Sequence, residues 1–322
     1  HYWNKQYGNR AYLLGGAVIG SSNDVSAVYY NPALLTASDR PNLTVAGNAY
    51  HATAITLTNA LGEELDFEST TVGALPSIVA GEIPIGDRRH HRLAYSLLFR
   101  HDFNVTLEQR GTTVIAGLPD EAFVRGKLEE NLNEIWTGLS YAQRLGSSMS
   151  IGASLYATYR THRSRQAVSA EAETTTEFGI VTARDDFDYY QIGMLGKLGV
   201  GGLSGAWCYG LTVTTPTVRL AGTGATSIDR VAVIGTLDGS ELATFILSDY
   251  QGDLPSNYRS PFSVGAGVAF TAASTTFHLA AEWFADVADY QLLDAAPVVD
   301  DDTGISVDID LVTGSREVLN WA

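Results

Sequence analysis

Polar and apolar positions alternate along most of this chain. The clearest run is Met149 to Arg160: Ile151, Ala153, Leu155, Ala157 and Tyr159 fall on one face, and Gly152, Ser154, Tyr156, Thr158 and Arg160 on the other. A two-residue period of this kind predicts a strand with oil on one side and polar groups on the other. The same rhythm predicts strands over 187–200, 207–220, 262–271 and 277–283, with Tyr190, Ile192, Leu198, Trp207, Leu211, Val264, Val268, Leu279 and Trp283 in step. Weaker alternation predicts strands over 42–61, 92–108 and 134–145. The stretch 70–86 reads as a strand interrupted by Pro76 and Pro84, since proline cannot donate to a ladder. A last strand begins at Ser315.

The connections have their own rhythm. Short turns fall near Arg88, Ser147, Gly202 and Ala273, and long connections near Gly62, Ala122, Glu173, Asp238 and Asp300. Short and long alternate, as in outer-membrane barrels with brief periplasmic turns and long outer loops. Within the long connections, Pro119-Asp120-Glu121 predicts a helix start, with Phe123, Leu128 and Leu132 on one face. Residues 241–250 predict a short amphipathic helix dipping toward the barrel mouth. Residues 161–186 read as an outer loop or a strand extension, and 286–314 as another long loop. No repeat of solenoid or propeller type is present.

One stretch breaks the alternation. Gly15 to Leu35 is apolar and rich in small residues, yet it has neither a helical stripe nor a strand period. Gly15, Gly16 and Gly20 permit close backbone approach. Pro32 denies Asn31 the helical region and is well placed to open a short helix. Such a segment is built to sit inside something, and the alternating strands from residue 42 onward read as the wall around it.

Composition narrows the class. Among 322 residues, 45% are hydrophobic and 17% charged, the latter below the usual quarter of soluble proteins. Mean hydropathy is +0.01, and no run of eighteen apolar residues predicts a transmembrane helix. A soluble all-β protein and a membrane barrel both fit, and low charge with 32 Gly and 16 Tyr favours the barrel. The net charge of −16 argues against nucleic acid as a partner. Acidic clusters at Asp185-Asp186-Phe187-Asp188 and Asp300-Asp301-Asp302 lack a twelve-residue calcium loop, so solvated loops are the simpler reading. Cys208 is the single cysteine, which excludes an internal disulfide framework.

No serine elbow, phosphate-binding loop or His-Glu metal helix is present, so no catalytic residue, cofactor or metal is expected. His90 and His91 are adjacent and point apart on a strand. His278 falls on the inner face, with no serine the sequence places beside it.

At Asp24-Val25-Ser26-Ala27-Val28-Tyr29-Tyr30-Asn31-Pro32-Ala33-Leu34 the sequence resembles the N-terminal hatch of the FadL family of outer-membrane transporters for long-chain fatty acids and other hydrophobic compounds. A second stretch, Tyr258 to Phe270 followed by Phe277 to Trp283, is similar to that family's strand, short turn and strand ending in an aromatic. The resemblance implies an all-β fold: a transmembrane antiparallel β-barrel of about fourteen strands with the hatch in its lumen. The hatch would be residues 1–41 and the barrel 42–322. About ten strands are legible, and the sequence stops inside one, so the barrel is expected to be incomplete at its C-terminus. The N-terminus lacks the pattern of a secretion signal, which is expected to have been removed.

The implied function is passive passage of hydrophobic compounds, such as fatty acids, across the bacterial outer membrane. The resemblance places the ligand against Val25, Val28, Tyr29, Asn31, Pro32, Leu34 and Leu35, with lateral release beside an inward-kinked strand. Pro76 and Pro84 are the candidates for that kink. Plain plugging by the same hatch residues is the competing reading, because pocket lining and core filling use the same side chains. On the same fold, a PorV-like shuttle of type IX secretion would instead bind outer-membrane or secreted protein partners. A soluble β-sandwich or adhesin is a third reading.

Overall fold

The computed structural model describes residues 3, 5–38, 43–61, 65–86, 90–114, 121–240, 242–300, 304 and 306–322. The chain opens with α1 (Asn9–Leu13), α2 (Ala27–Tyr30) and a 3-10 turn, Pro32–Ala37. Strands follow: β1 (Leu43–Leu57), β2 (Phe67–Ile83), β3 (His91–Val114), β4 (Glu121–Leu145), β5 (Met149–Glu173) and β6 (Glu177–Ser204). Next come β7 (Trp207–Thr214), β8 (Val218–Thr236), β9 (Leu242–Pro255), β10 (Ser263–Ala272) and β11 (Thr275–Phe284). The short β12 (Val287–Leu293), β13 (Val298–Val299), β14 (Ser306–Val307), β15 (Leu311–Ser315) and β16 (Val318–Trp321) complete the chain.

Twelve strands form one antiparallel sheet in the order β1-β2-β3-β4-β5-β6-β7-β10-β11-β16, with β8 and β9 added on the β6 side. This all-β wall curls around the N-terminal segment. Buried hatch residues pack on Ile78 of β2, Leu98 of β3, Trp136 of β4, Tyr156 of β5 and Leu195 of β6. On the far side, Ala17 and Ile19 pack on Ala280 of β11. No ladder joins β1 to β16 among the described residues.

The predicted inside-outside alternation is observed. On β5, Leu155 is 55% exposed while its neighbour Tyr156 is fully buried. Ile151, Tyr159, Ile192, Leu198, Leu211, Val268 and Leu279 also face outward. The apolar band on β5 runs from Met149 to Tyr159, close to the roughly 9–11 residues a tilted strand needs to cross a bilayer. Yet β5 has 25 residues and β6 has 28. Their upper halves stand clear of the band, so 161–186 is strand extension rather than loop.

Two expected helices are strands instead. From Glu121 the chain is β4, whose residues pair with β3 and β5 on both sides. Its buried residues Ala122 and Val124 alternate with exposed Phe123, so Phe123 does not share a face with Leu128. Pro119 and Asp120 lie outside the described residues. In the stretch read as an amphipathic helix over 241–250, the described residues from Leu242 belong to β9, which pairs with β8, and Glu241 lies outside the described residues. In both places the neighbouring strand's free backbone groups outweigh a weak helical spacing. Residues 286–314 hold two small ladders, β12–β15 and β13–β14. Leu292 and Leu293 pack on Tyr189, and Val298 on Ile228 and Leu247, so this arm covers the inner face of β6, β8 and β9.

The acidic loops are paired or solvated. Asp186 pairs with Arg184, and Asp185 with Arg230. At the β8–β9 tip the backbone N–H and hydroxyl of Ser240 hold the Asp238 carboxyl down to about 2, so the tip keeps this charge further into acid than a free carboxylate does. Asp301 and Asp302 lie outside the described residues.

Candidate functional site

The hatch is fixed where the sequence kinks it. Asn31 is extended, at φ −157°, and Pro32 opens the 3-10 turn behind it. The Asn31 side chain donates to Ile19 O at 3.1 Å and to Val200 O of β6 at 3.0 Å, and its Oδ1 accepts from the Ala33 N–H at 3.2 Å. One amide therefore ties two hatch segments to the wall. The wall yields at this point: a Cβ on Gly152 would lie 2.4 Å from Ala33 N, and one on Gly199 would lie 2.1 Å from Asn31 Oδ1. Further tethers run around the circumference. The Ser154 hydroxyl donates to Val28 O at 3.0 Å, and Thr36 Oγ1 meets Ser150 Oγ at 2.6 Å. The Trp3 indole donates to Glu282 at 2.8 Å, and Ser21 Oγ lies 2.9 Å from His278 Nδ1. Ser21 is thus the serine that sequence did not place beside His278, and the contact joins hatch to β11.

All seven hatch candidates are buried. Val25, Val28, Asn31 and Leu35 have no exposure, Leu34 and Tyr29 have little, and Pro32 is enclosed. They are not lined up along one ligand-sized space. Leu34 alone lines a cavity of about 300 Å³ beneath the hatch, toward the short turns, with Met149, Leu203, Arg144 and His278. Tyr29 lines a smaller space of about 50 Å³ above the hatch.

That upper space is charged and aromatic. Arg100 donates to Tyr29 OH at 2.8 Å and to Tyr7 OH at 3.1 Å, with its guanidinium 4.8 Å from the Trp136 ring centre. Glu134 accepts from the Trp136 indole at 2.6 Å and pairs with Arg160 at 2.5 Å. Arg160 lies 3.8 Å from the ring centre of Tyr258. Lys197 faces Glu282 at 3.9 Å and the Tyr29 ring at 5.0 Å. Buried charges persist only when paired or hydrogen-bonded, as these are. The sequence carried the signal: Arg160, Lys197 and Glu282 hold the polar, inward positions of the alternating strands. Arg100→Ala removes donors from two buried hydroxyls and is expected to destabilise by about 3 kcal/mol. The temperature at which folded, fast-migrating protein is lost on a gel reads this, and Arg100→Lys should fall between.

Arg100 follows Ala94, Ser96 and Leu98 on the inward face of β3, and a bulge sits at it, after which the odd residues Val105 and Leu107 face inward. The β3–β4 register skips Arg100, passing from Phe99–Ile135 to His101–Glu134. Opposite it the wall splits. β2 pairs with β3 only from Ile78–Leu98 to Ile83–Leu93. Before Ile78, β2 stays with β1 alone, and that ladder skips Ser77, whose hydroxyl donates to Ala46 O at 3.0 Å. Leu61 and Phe67 of this departing hairpin pack on the inward residues Val105, Leu107 and Val124 of β3 and β4. The hairpin therefore leans into the lumen from the bulge onward. Pro76 is the residue next to that bulge. Pro84 lies beyond Ile83, the last residue of β2, and takes no part in it.

No family pattern matches the chain by sequence, and no curated protein does. Among solved structures it is similar to a TodX deltaS2S3 mutant, a monoaromatic hydrocarbon channel, at 14% identity. That match covers 98% of this chain and 78% of the channel, with a TM-score of 0.57. It also aligns with a Pseudomonas aeruginosa FadL homologue at 10% identity, covering 95% and 93% of the two chains, with a TM-score of 0.32. The chain shares the fold of the hydrocarbon channel, an all-β architecture whose large antiparallel sheet curls around the N-terminal segment.

Proposed function

We propose that this protein is an outer-membrane channel for hydrophobic compounds, with fatty acids and monoaromatic hydrocarbons as the substrates to test. The observation that carries the reading is the split between β2 and β3 above a plugged lumen. A hydrophobic solute has no reason to leave a bilayer-spanning wall at its far end, into water. A side exit where the β2–β3 ladder stops, between Ser77 and Phe99 and level with Ile135 and Tyr159 at the rim of the apolar band, gives it a path from lumen to the edge of the lipid. The hatch blocks the direct path, and Leu34 touches the ligand-sized cavity beneath it. The likeness to a hydrocarbon channel supports the reading at the level of fold.

The test is uptake of radiolabelled oleate and toluene by cells that carry or lack the protein. Loss of either uptake on deletion, restored by the gene, supports the channel. Normal uptake of both, with stoichiometric protein partners recovered in a pull-down, favours the shuttle reading instead.

A further inference from the structure

The outer face of the wall changes character row by row, and the register fixes the rows. Ile135, Tyr159 and Ile192 form an apolar row across β4, β5 and β6. The next row up is Asn133, Thr161 and Tyr190, continued by Thr223 on β8. Above it come Asn131, Arg163, Asp188 and Ala225, and above that Glu129, Arg165, Asp186 and Ser227. Successive rows on one face are about 7 Å apart. The edge of the hydrocarbon therefore lies at Tyr159 and Tyr190, the aromatic level of a barrel girdle.

A groove of about 470 Å³ lies on that edge, lined by Asn131, Arg163, Asp188, Tyr190, Tyr250 and Asp253. Of its polar groups, His162 is bonded to Glu130 and Thr223 to Leu254 O, while others are unspent. Arg163 and Asp188 are direct register partners, yet neither is in an ion pair or side-chain hydrogen bond among the described residues. One row higher the same kinds of charge are joined: Arg165 with Glu129 at 3.8 Å, Lys127 with Glu129 at 2.5 Å, and Arg184 with Asp186. Asn131 accepts from Asn133 at 2.7 Å through its oxygen, which leaves its amide hydrogens for another partner.

We propose that this groove holds the saccharide headgroup of a glycolipid in the outer leaflet. Continuity with the apolar band selects a lipid: a molecule whose tails lie against Ile192 presents its headgroup at Arg163 and Asp188. The donor set selects sugar over phosphate. Two carboxylates face one guanidinium, which disfavours an anion, whereas carboxylates, an amide and a guanidinium together match hydroxyls that both donate and accept. Tyr190 and Tyr250 supply the amphipathic rings that suit a ligand apolar on one face and polar at its edge. The proposal rests on the membrane reading of the wall, not on what the lumen carries.

The test uses purified protein in nanodiscs of phosphatidylethanolamine with equal small shares of monoglucosyl diacylglycerol and phosphatidylglycerol of matched chains. Native mass spectrometry then reads the lipid retained on the released protein. Wild type is expected to retain the glucosyl lipid about fivefold over phosphatidylglycerol, the worth of one net hydrogen bond. In Asp188→Ala/Asp253→Ala the ratio falls to about one. These side chains are exposed, and a cross-check is folded migration of the double variant on an unheated gel. Equal retention of the two lipids by wild type, a preference for phosphatidylglycerol, or an unchanged ratio in the folded double variant would overturn the proposal. Each readout is independent of oleate and toluene uptake, so this proposal and the channel reading fail separately.

Discussion

Oxidising a Thr36→Cys/Ser150→Cys variant is expected to stop uptake, and reduction to restore it. The two hydroxyls lie 2.6 Å apart, one on the hatch and one on β5, so paired thiols there are within bonding reach. The native chain has only Cys208, which lines the cavity below the hatch without a cysteine partner. A covalent link at this point pins the 3-10 turn to the wall while leaving the β2–β3 split untouched. If the hatch has to shift for solute to pass, oxidised cells show oleate and toluene uptake near that of the deletion strain, and reductant returns it. Full uptake in the oxidised state, with the disulfide verified by mass, would mean that the hatch is a fixed plug and that solute travels around it.

Asn31→Ala is expected to loosen the hatch more than truncation of the buried Val25 within it. The substitution strips donors from Ile19 O and Val200 O and the acceptor from Ala33 N. Each buried backbone group left unpaired costs about 1–3 kcal/mol, so the loss is about 4 kcal/mol. Val25→Ala, by contrast, removes only packing and is expected to cost about 1–2 kcal/mol. Limited proteolysis of membranes reads the difference as cleavage within residues 9–38. Cells carrying Asn31→Ala should also admit bulky antibiotics that wild type excludes. Equal protease resistance of the two variants would show that the aromatic and aliphatic packing holds the hatch without the amide.

Much of the wall is legible because lipid imposes a demand on every second residue. Leu155 and Tyr156 differ in exposure for that reason, and the sequence shows it. The hatch is legible by the failure of that rule over Gly15 to Leu35. Above the membrane both faces meet water or protein, so alternation fades, and β4 and β9 carry a misleading helical spacing there. The candidate site is legible in part. Asn31 and Pro32 are structural keystones, as their unusual pairing suggests, and Leu34 reaches a cavity. In the charged layer the alternation marks Arg160, Lys197 and Glu282 as inward, but the bulge at Arg100, after which the odd residues of β3 turn inward, has no local pattern to mark it. Pro76 lies beside the β2 bulge, and Pro84 follows the end of β2. The inward lean of the β1–β2 hairpin is a tertiary fact, fixed by Leu61 and Phe67 finding partners on strands far along the chain.

The hatch comes first in the sequence, but its partners are scattered along nearly the whole of it: Tyr156, Val200, His278 and Glu282 all hold it. The long hairpins from β3 to β6 join neighbours in sequence and can zip one after another as the chain arrives. Closing a loop of more than two hundred residues is entropically dearer and slower than closing a turn. The leading segment therefore settles last, into a cradle that has already taken shape. Newly inserted molecules are accordingly expected to pass through a stage in which the sheet stands without its N-terminal segment.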